Sequence, residues 1–528
     1  MSRFSTLKAL APLAFLPFYT TSGQPATPGR PYTIPALKNW QGSADHAYTF
    51  RADSRIVLQD ARLLETGTVF AEDLKLLTGL DILVVNGVDM RAGDIVLAPE
   101  PADADSGEQG YRLEIGQNAT ISASSPAGVF YGTRTLLQLL KQNFTIPGGV
   151  ARDWPDYPQR SLMVDVGRQY FSLPWLKSHI RDLAYLKYNF LHLHFSDNFG
   201  FRLESSRHPE IVSEQHYTRS DIRELHELAR KYHITIVPEI DVPGHLDAAL
   251  ASHPELRLAN AAGQRQSGDL DLARAEAYTF VQDLLEEYIP LFTGPYWHLG
   301  ADEYLLHGGS YEDFPQLAQA AHERYGPQAV AKDIYLGFVN WAHEIVKAHG
   351  KTTRIWSDGM YGGVAVSPAT DKIIYEHWVS WGPAPSEIVE RGIPIVNSNI
   401  HYVYYVPSSQ RMQARADVLY ESFEPHMFCL EFGRLDNVAG LNVPQGSATS
   451  ARDLDLLDHH PLNLGAKLHV WCDDPTVESE EQIASAIEHA LRALAQKNWG
   501  SPRLVASYEH FKPVIELIGR APGYEIAK

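Results

Sequence analysis

Apolar and polar positions alternate differently in two parts of the chain. From about residue 25 to 155, short runs at 48–50, 55–58, 82–85 and 95–97 alternate with period two and predict strands. One stretch opening at Ser125-Pro126 places Val129, Thr133, Leu136, Leu137 and Leu140 on a common face and predicts a helix. The polar, proline-bearing segment 151–158 marks a boundary.

Beyond it the pattern becomes strand then helix, repeated. Apolar runs at 162–166, 190–195, 234–237, 296–299, 354–356, 373–375, 393–396 and 468–470 predict eight strands. Ser172 is placed to cap a helix bearing Leu176, Ile180, Leu183 and Leu186, and Thr218 with Asp221 forms a capping box before Ile222, Leu225, Leu228 and Ala229. A helix over 333–349 is closed by Gly350. Eight strands, most followed by a helix, predict an α/β chain: a (β/α)8 TIM barrel over 156–528 behind a smaller α+β domain over 24–155. A doubly wound open sheet is the competing architecture, and no glycine-rich phosphate loop supports it.

The 528 residues carry 64 acids against 45 Lys plus Arg, a formal charge of −19 with no basic run, which excludes nucleic acid and other polyanions as partners. Arg3 and Lys8 precede an apolar run over 9–19 that ends in small residues, the pattern of a secretory signal cleaved near Gly23. A secreted chain is therefore expected, without a membrane helix and with acceptor sequons at Asn118 and Asn143. The two cysteines, Cys429 and Cys472, allow at most one disulfide and lack metal-ligand spacing.

Chemistry in such a barrel belongs at the C-terminal ends of the strands. Successive strand ends offer Asp165 and Arg168; His194, Asp197 and Asn198; Glu239, Asp241 and His245; His298, Asp302 and Glu303; Trp356 and Asp358; Glu376, His377, Trp378 and Trp381; Asn397, Tyr402 and Tyr404; Trp471 and Asp473. Singly, each has a plain explanation: a tryptophan packs, an arginine is solvated, His298 inside its strand is a buried support. Together, aromatic walls, carboxylates and one arginine describe a sugar site, and tryptophans around the adjacent pair Asp302-Glu303 point to glycoside hydrolysis.

Four ordered motifs carry a resemblance. His298-Leu299-Gly300-Ala301-Asp302-Glu303 resembles the His-x-Gly-x-Asp-Glu signature of glycoside hydrolase family 20, the β-N-acetylhexosaminidases, and Leu162 to Arg168, His192 to Arg202 and Glu239 to His245 resemble that family's first three barrel strands. The resemblance implies retaining hydrolysis of terminal β-linked GlcNAc or GalNAc without an enzymic nucleophile or a cofactor. It implies Glu303 as general acid and base, and Asp302 as the group that orients the substrate's 2-acetamido arm through an oxazolinium intermediate. Arg168 and Asp473 would hold ring hydroxyls, Asp197 and His245 would support Glu303 with Asp241 nearby, and Asp165 and His298 would support the site. Trp356, Trp378 and Trp471 would line it, and Tyr402 would hold the acetamide oxygen, with Tyr404 and Tyr405 as alternatives if the register is shifted. Two departures touch the rim: Tyr402-Val403-Tyr404 where the family has Tyr-x-Asp, and Trp471-Cys472-Asp473 where it has Trp-x-Glu. They are similar to the family's lacto-N-biosidase branch, which releases a disaccharide.

Two readings from other classes compete. His192 and His194 share a strand face with Asp197 and His245 near by, as a metal-dependent hydrolase would require; a catalytic zinc needs three convergent ligands and an open position, and His192, deep in its apolar run, is expected to pack. An inactive sugar-binding barrel is the other, and the intact acid pair argues against it.

Overall fold

The computed structural model describes residues 29–526 except 88, 102–105, 306–309, 380 and 429–454, so the expected signal segment and Cys429 lie outside the described residues. Strands Asn39–Thr49, Thr145–Asp153, Tyr111–Ile115, Ala119–Ala123, Ile95–Pro99, Arg55–Leu58 and Leu83–Asn86 pair in that order into one mixed sheet. Helices Leu64–Thr78 and Pro126–Gln142 lie against it and against each other. Sequence periodicity had marked only the second helix, whose cap Ser125 accepts the Gly128 amide at 3.2 Å. Gly67 breaks the pattern of the first, but its Cβ-free face meets Leu58 and Val84, letting the helix sit close on the sheet.

The boundary predicted over 151–158 falls partly inside this sheet, because Thr145–Asp153 pairs through Asp153 with Tyr111. Helix Pro126–Gln142 is buried on nearly all sides from Gly128 to Leu140, as expected of a helix packed between two layers. Its outer face meets barrel helix Leu173–Tyr185 and the late helix Tyr508–Ile518. A fully buried ion pair, Lys187 Nζ to Asp153 Oδ2 at 2.9 Å, with Tyr111 and Trp499 on the same carboxylate, ties sheet to barrel. The small domain and the barrel therefore share a buried, polar-pinned interface.

The barrel closes from eight parallel strands: Ser161–Asp165, Phe190–His194, Thr235–Glu239, Tyr296–His298, Thr352–Trp356, Ile373–His377, Ile395–Asn397 and Asn463–Val470, the last pairing with the first. The predicted strands lie within one to three residues of these, except that the eighth begins earlier. Ser172 accepts the Trp175 amide at 3.3 Å, the Thr218–Asp221 box is formed, and Gly350 follows helix Ala331–Ala348 with φ of 77°.

The barrel interior is ionic. Glu376 accepts Arg354 Nε at 2.7 Å and also the Lys467 ammonium, which reaches His192 Nδ1 at 2.9 Å. Glu239 lies within 3.0 Å of His192, His194 and His298 and accepts the Trp356 indole at 2.8 Å. His192 thus joins a charged network and does not pack against apolar side chains as expected. Buried charges are tolerated only when paired in this way.

Candidate active site

The site begins with the turn after the fourth barrel strand. Gly300, Ala301 and Glu303 all hold positive φ, at 71°, 73° and 52°. A side chain at Gly300 is impossible as the turn stands, since its Cβ would fall 1.8 Å from Asp241 Oδ1. The turn is pinned at each step: Gly300 N–H donates to His298 Nδ1 at 3.0 Å, Ala301 N–H to Asp241 Oδ1 at 3.0 Å, and Glu303 N–H to Asp358 Oδ2 at 3.0 Å. Trp356 N–H donates to the Gly300 carbonyl at 2.9 Å, and the Tyr335 hydroxyl donates to that of Ala301. Left-handed backbone at non-glycine residues persists where surrounding contacts over-determine it, and here it turns two consecutive carboxylates in different directions.

His245 stands between the acids and their support. Its Nε2 is 3.4 Å from Glu303 Oε2 and 3.6 Å from Asp302 Oδ2, while Nδ1 is 3.4 Å from Asp197 Oδ1. Burial works against charging this imidazole, but the Asp197 and Asp302 carboxylates prevail and hold its pKa well above the ordinary value. Burial and Asp302 push the Asp241 carboxyl well up, with an Asp241 oxygen within 4.8 Å of Asp302. Burial also raises Asp302, against the pull of His245. Three crowded carboxyls beside one imidazolium cannot all ionise, so Asp241 keeps its proton and Asp302 carries the charge.

Arg168 organises the opposite wall. Its guanidinium reaches Asp165 at 3.0 Å, Asp197 at 2.9 Å and Asp473 at 3.7 Å, and stacks over the Trp471 ring with its carbon 5.4 Å from the centroid. Asp197 also accepts His194 Nε2 at 2.7 Å, and Asp165 accepts the Cys472 amide at 3.1 Å. Asp473, half exposed, forms the rim, while the guanidinium itself is mostly buried.

The aromatic residues form a continuous set. Trp356 and Trp471 are 5.8 Å apart, Trp471 and Tyr404 6.0 Å, and Tyr404 lies parallel to Trp378 at 6.2 Å. Trp378 donates its indole N–H to Asp358 Oδ1 at 3.0 Å, so Asp358 joins the aromatic wall to the Glu303 amide. Trp381 meets Trp378 edge-on at 5.5 Å.

Most residues named from the sequence converge at this mouth: Glu303, Asp302, Arg168, Asp197, His245, Trp356, Trp378, Trp471, Asp473, Asp165, Asp241, His298 and Tyr404. Tyr402 does not join them. It lies in the helical turn Ile400–Val403 and packs on Phe423 at 5.2 Å. Tyr404 faces the mouth instead, from the short strand Tyr404–Tyr405 paired to His469 and Val470. That register sets the family's Tyr-x-Asp over Tyr404-Tyr405-Val406, with buried Val406 where an acid is usual. Trp356 is a floor residue, fully buried and fixed through Glu239. Asp358 was a strand-end residue outside the predicted set; burial, with Asp302 beside it, raises its pKa to about 7. Lys332, on the Tyr335 ring at 3.9 Å with its pKa lowered by burial to about 8, carries no sequence signal, because it enters from a helix start.

Three-residue sets with metal-ligating atoms within 4.8 Å of one another occur here, such as His192, Glu239 and His298, or Asp165, His194 and Asp197. Their donor atoms are already taken up by Lys467, Trp356, Arg168 and one another, and ammonium and guanidinium groups stand where a divalent ion would need room. The donor set therefore fits an ion-pair network better than a metal.

Fold and site together define a barrel of the glycoside hydrolase class. The model of the glycosyl hydrolase family 20 catalytic domain matches residues 157–501, and that of the same family's domain 2 matches residues 30–154. The chain belongs to glycosyl hydrolase family 20. It is 30% identical over 493 residues to a lacto-N-biosidase of Bifidobacterium bifidum, covering 93% of this chain and 42% of that protein. It is 26% identical over 517 residues to a beta-hexosaminidase of Vibrio furnissii, covering 91% of this chain and 78% of that protein. The chain thus spans under half the length of the first relative. A solved GH20 beta-N-acetylhexosaminidase of Streptomyces coelicolor A3(2) shares the fold, with a TM-score of 0.68 at 24% identity over 92% of this chain and 96% of that one.

Proposed function

We propose that the chain hydrolyses β-linked N-acetylhexosaminides with retention of configuration, using the substrate's own acetamide as nucleophile. The observation that carries this is the meeting of Glu303 and Asp302 at one imidazole, His245, at the mouth of an aromatic-lined barrel. Glu303 protonates the glycosidic oxygen as the C1–O bond breaks, and the imidazolium of His245 steadies the carboxylate that results. Asp302, ionised beside neutral Asp241, accepts the acetamide N–H and balances the positive charge of the oxazolinium as the carbonyl oxygen closes on C1. The Tyr404 hydroxyl is the donor to that oxygen, and Trp356, Trp378 and Trp471 enclose the ring. Glu303 then takes a proton from water, which opens the oxazolinium and returns the β-configured product.

A second reading concerns what is released. Val406 at the acid position, the short Asp473 and the lacto-N-biosidase relative all favour a pocket that accepts a disaccharide over one closed around a single sugar. The residues over 1–23 support export, so that the substrate would be an extracellular glycan.

The test is product analysis on a chromogenic GlcNAc glycoside and a chromogenic lacto-N-bioside. Glu303→Gln is expected to lose turnover by about 10²–10⁴-fold on whichever is cleaved while still binding product. Unchanged turnover in Glu303→Gln overturns the assignment, and release of the disaccharide against free GlcNAc decides between the two readings.

A further inference from the structure

Two tetrapeptides in the loops after the second and third barrel strands repeat one pattern: His208-Pro209-Glu210-Ile211 and His253-Pro254-Glu255-Leu256. Each forms a 3-10 turn, Pro209–Ile211 and Pro254–Leu256, with its histidine just before the turn at nearly the same φ, −131° and −126°. The two turns meet. Ser252 Oγ donates to the Glu210 carbonyl at 2.9 Å, and the rings of His208 and His253 stand perpendicular, 5.7 Å apart, both resting on Phe280 at 5.0 and 5.2 Å.

We infer that His208, Glu210 and His253 form a three-ligand site for a divalent zinc-type ion, separate from the barrel mouth. Glu210 Oε1 lies 3.2 Å from His208 Nδ1 and 2.8 Å from His253 Nε2, and all three atoms are within 4.8 Å of one another. Ligands about 2.0–2.2 Å from a tetrahedral zinc stand roughly 3.3 Å from one another, and the two separations from Glu210 Oε1 to the imidazole nitrogens are near that edge length. Half-exposed Glu210 opens the fourth position to water.

The far nitrogen of each ring supports the assignment. His208 Nε2, itself buried, is 3.4 Å from Asp283 Oδ2, and His253 Nδ1 is 3.4 Å from Glu255 Oε1. A carboxylate behind each ligating imidazole fixes its tautomer and raises its basicity, the usual arrangement around bound zinc. Arg207 is engaged with Asp283 at 2.7 Å and Glu286 at 3.1 Å, behind the His208 ring. Two imidazoles and one carboxylate suit zinc, whereas magnesium and calcium take six or more oxygens. Such an ion would clasp the two loops whose bases carry Asp197 and His245, so its effect is on stability and on the alignment of that pair, with no part in bond breaking.

The experiment is calorimetric titration of the chelator-stripped full chain with ZnCl2, with MgCl2 as comparison, followed by thermal unfolding. One equivalent of zinc is expected to bind and raise Tm, and magnesium to do neither. Glu210→Gln, which keeps volume and an exposed position, is expected to weaken zinc by at least about 10-fold, and Glu255→Gln, which touches no metal, by about 10-fold. Zinc uptake absent from the native chain, or equally tight in Glu210→Gln and in a folded His208→Ala/His253→Ala variant, overturns the inference. Both readouts are independent of sugar hydrolysis.

Discussion

Asp241 and Asp302 illustrate how two carboxyls of the same kind take opposite roles. Burial raises both and Asp302 raises Asp241 further, but for Asp302 the His245 imidazolium and a hydrogen bond from Asp241 pull the other way, which leaves the proton on Asp241. Asp241→Asn keeps an acceptor for the Ala301 amide and a donor toward Asp302, so kcat is expected to stay within about 10-fold of the native value, whereas Asp302→Asn loses at least about 10²-fold. Steady-state kinetics on the two variants measures this, and equal losses would contradict the assignment. Asp358 allows a test by stability. Its folded pKa, about 7, lies above the ordinary 3.8, so the folded state binds the extra proton between those values. The stabilisation is full below about pH 4 and is lost as pH rises toward 7, at up to ~1.4 kcal/mol per pH unit. Urea unfolding across that window should show this slope in the native chain relative to Asp358→Asn, and parallel curves would refute it.

At the scale of elements, the turn after the fourth strand decides whether the acids face the mouth at all. Gly300→Ala would set a methyl against the Asp241 carboxylate and its backbone in a left-handed conformation, with no flexible group free to yield. A lower Tm and a large loss of kcat are expected together, from thermal unfolding and kinetics on the same sample. Native values for both would show that the turn is not constrained as described. The strands of the barrel were legible because parallel strands read as short apolar runs, and their ends because polar residues follow each run at once. Tyr402 was misread for a physical reason: the seventh strand stops at Asn397, a helical turn intervenes, and counting along one extended register cannot see it. The first helix and three strands of the small domain were missed because Gly67 interrupts the helical face and strands such as Ala119–Ala123 are short and mixed in character.

For the whole molecule, what the sequence could not reveal is the ionic interior. His192, Glu239, Glu376 and Lys467 come from four different strands, and each looks like an isolated polar residue in its own run. Assembled, they fix Trp356 from below and His194 from behind, so the mouth rests on a rigid polar floor. The rim carries the departures from the family, at Val406 and Asp473, while the acid pair and its supports keep the family pattern. In the proposed function, reaction type and product size are therefore assigned to separate parts of the barrel.

In the proposed reaction the substrate's acetamide, held by Asp302 and Tyr404, performs the attack, so the rate depends on the nucleophilicity of its carbonyl oxygen. The most direct measurement is kcat for a series of aryl glycosides whose N-acetyl group carries zero to three fluorines, each of which makes the carbonyl oxygen a poorer nucleophile. A steep, monotonic fall in kcat along the series is expected. A rate indifferent to fluorination would contradict it and require a nucleophile from the protein or from water.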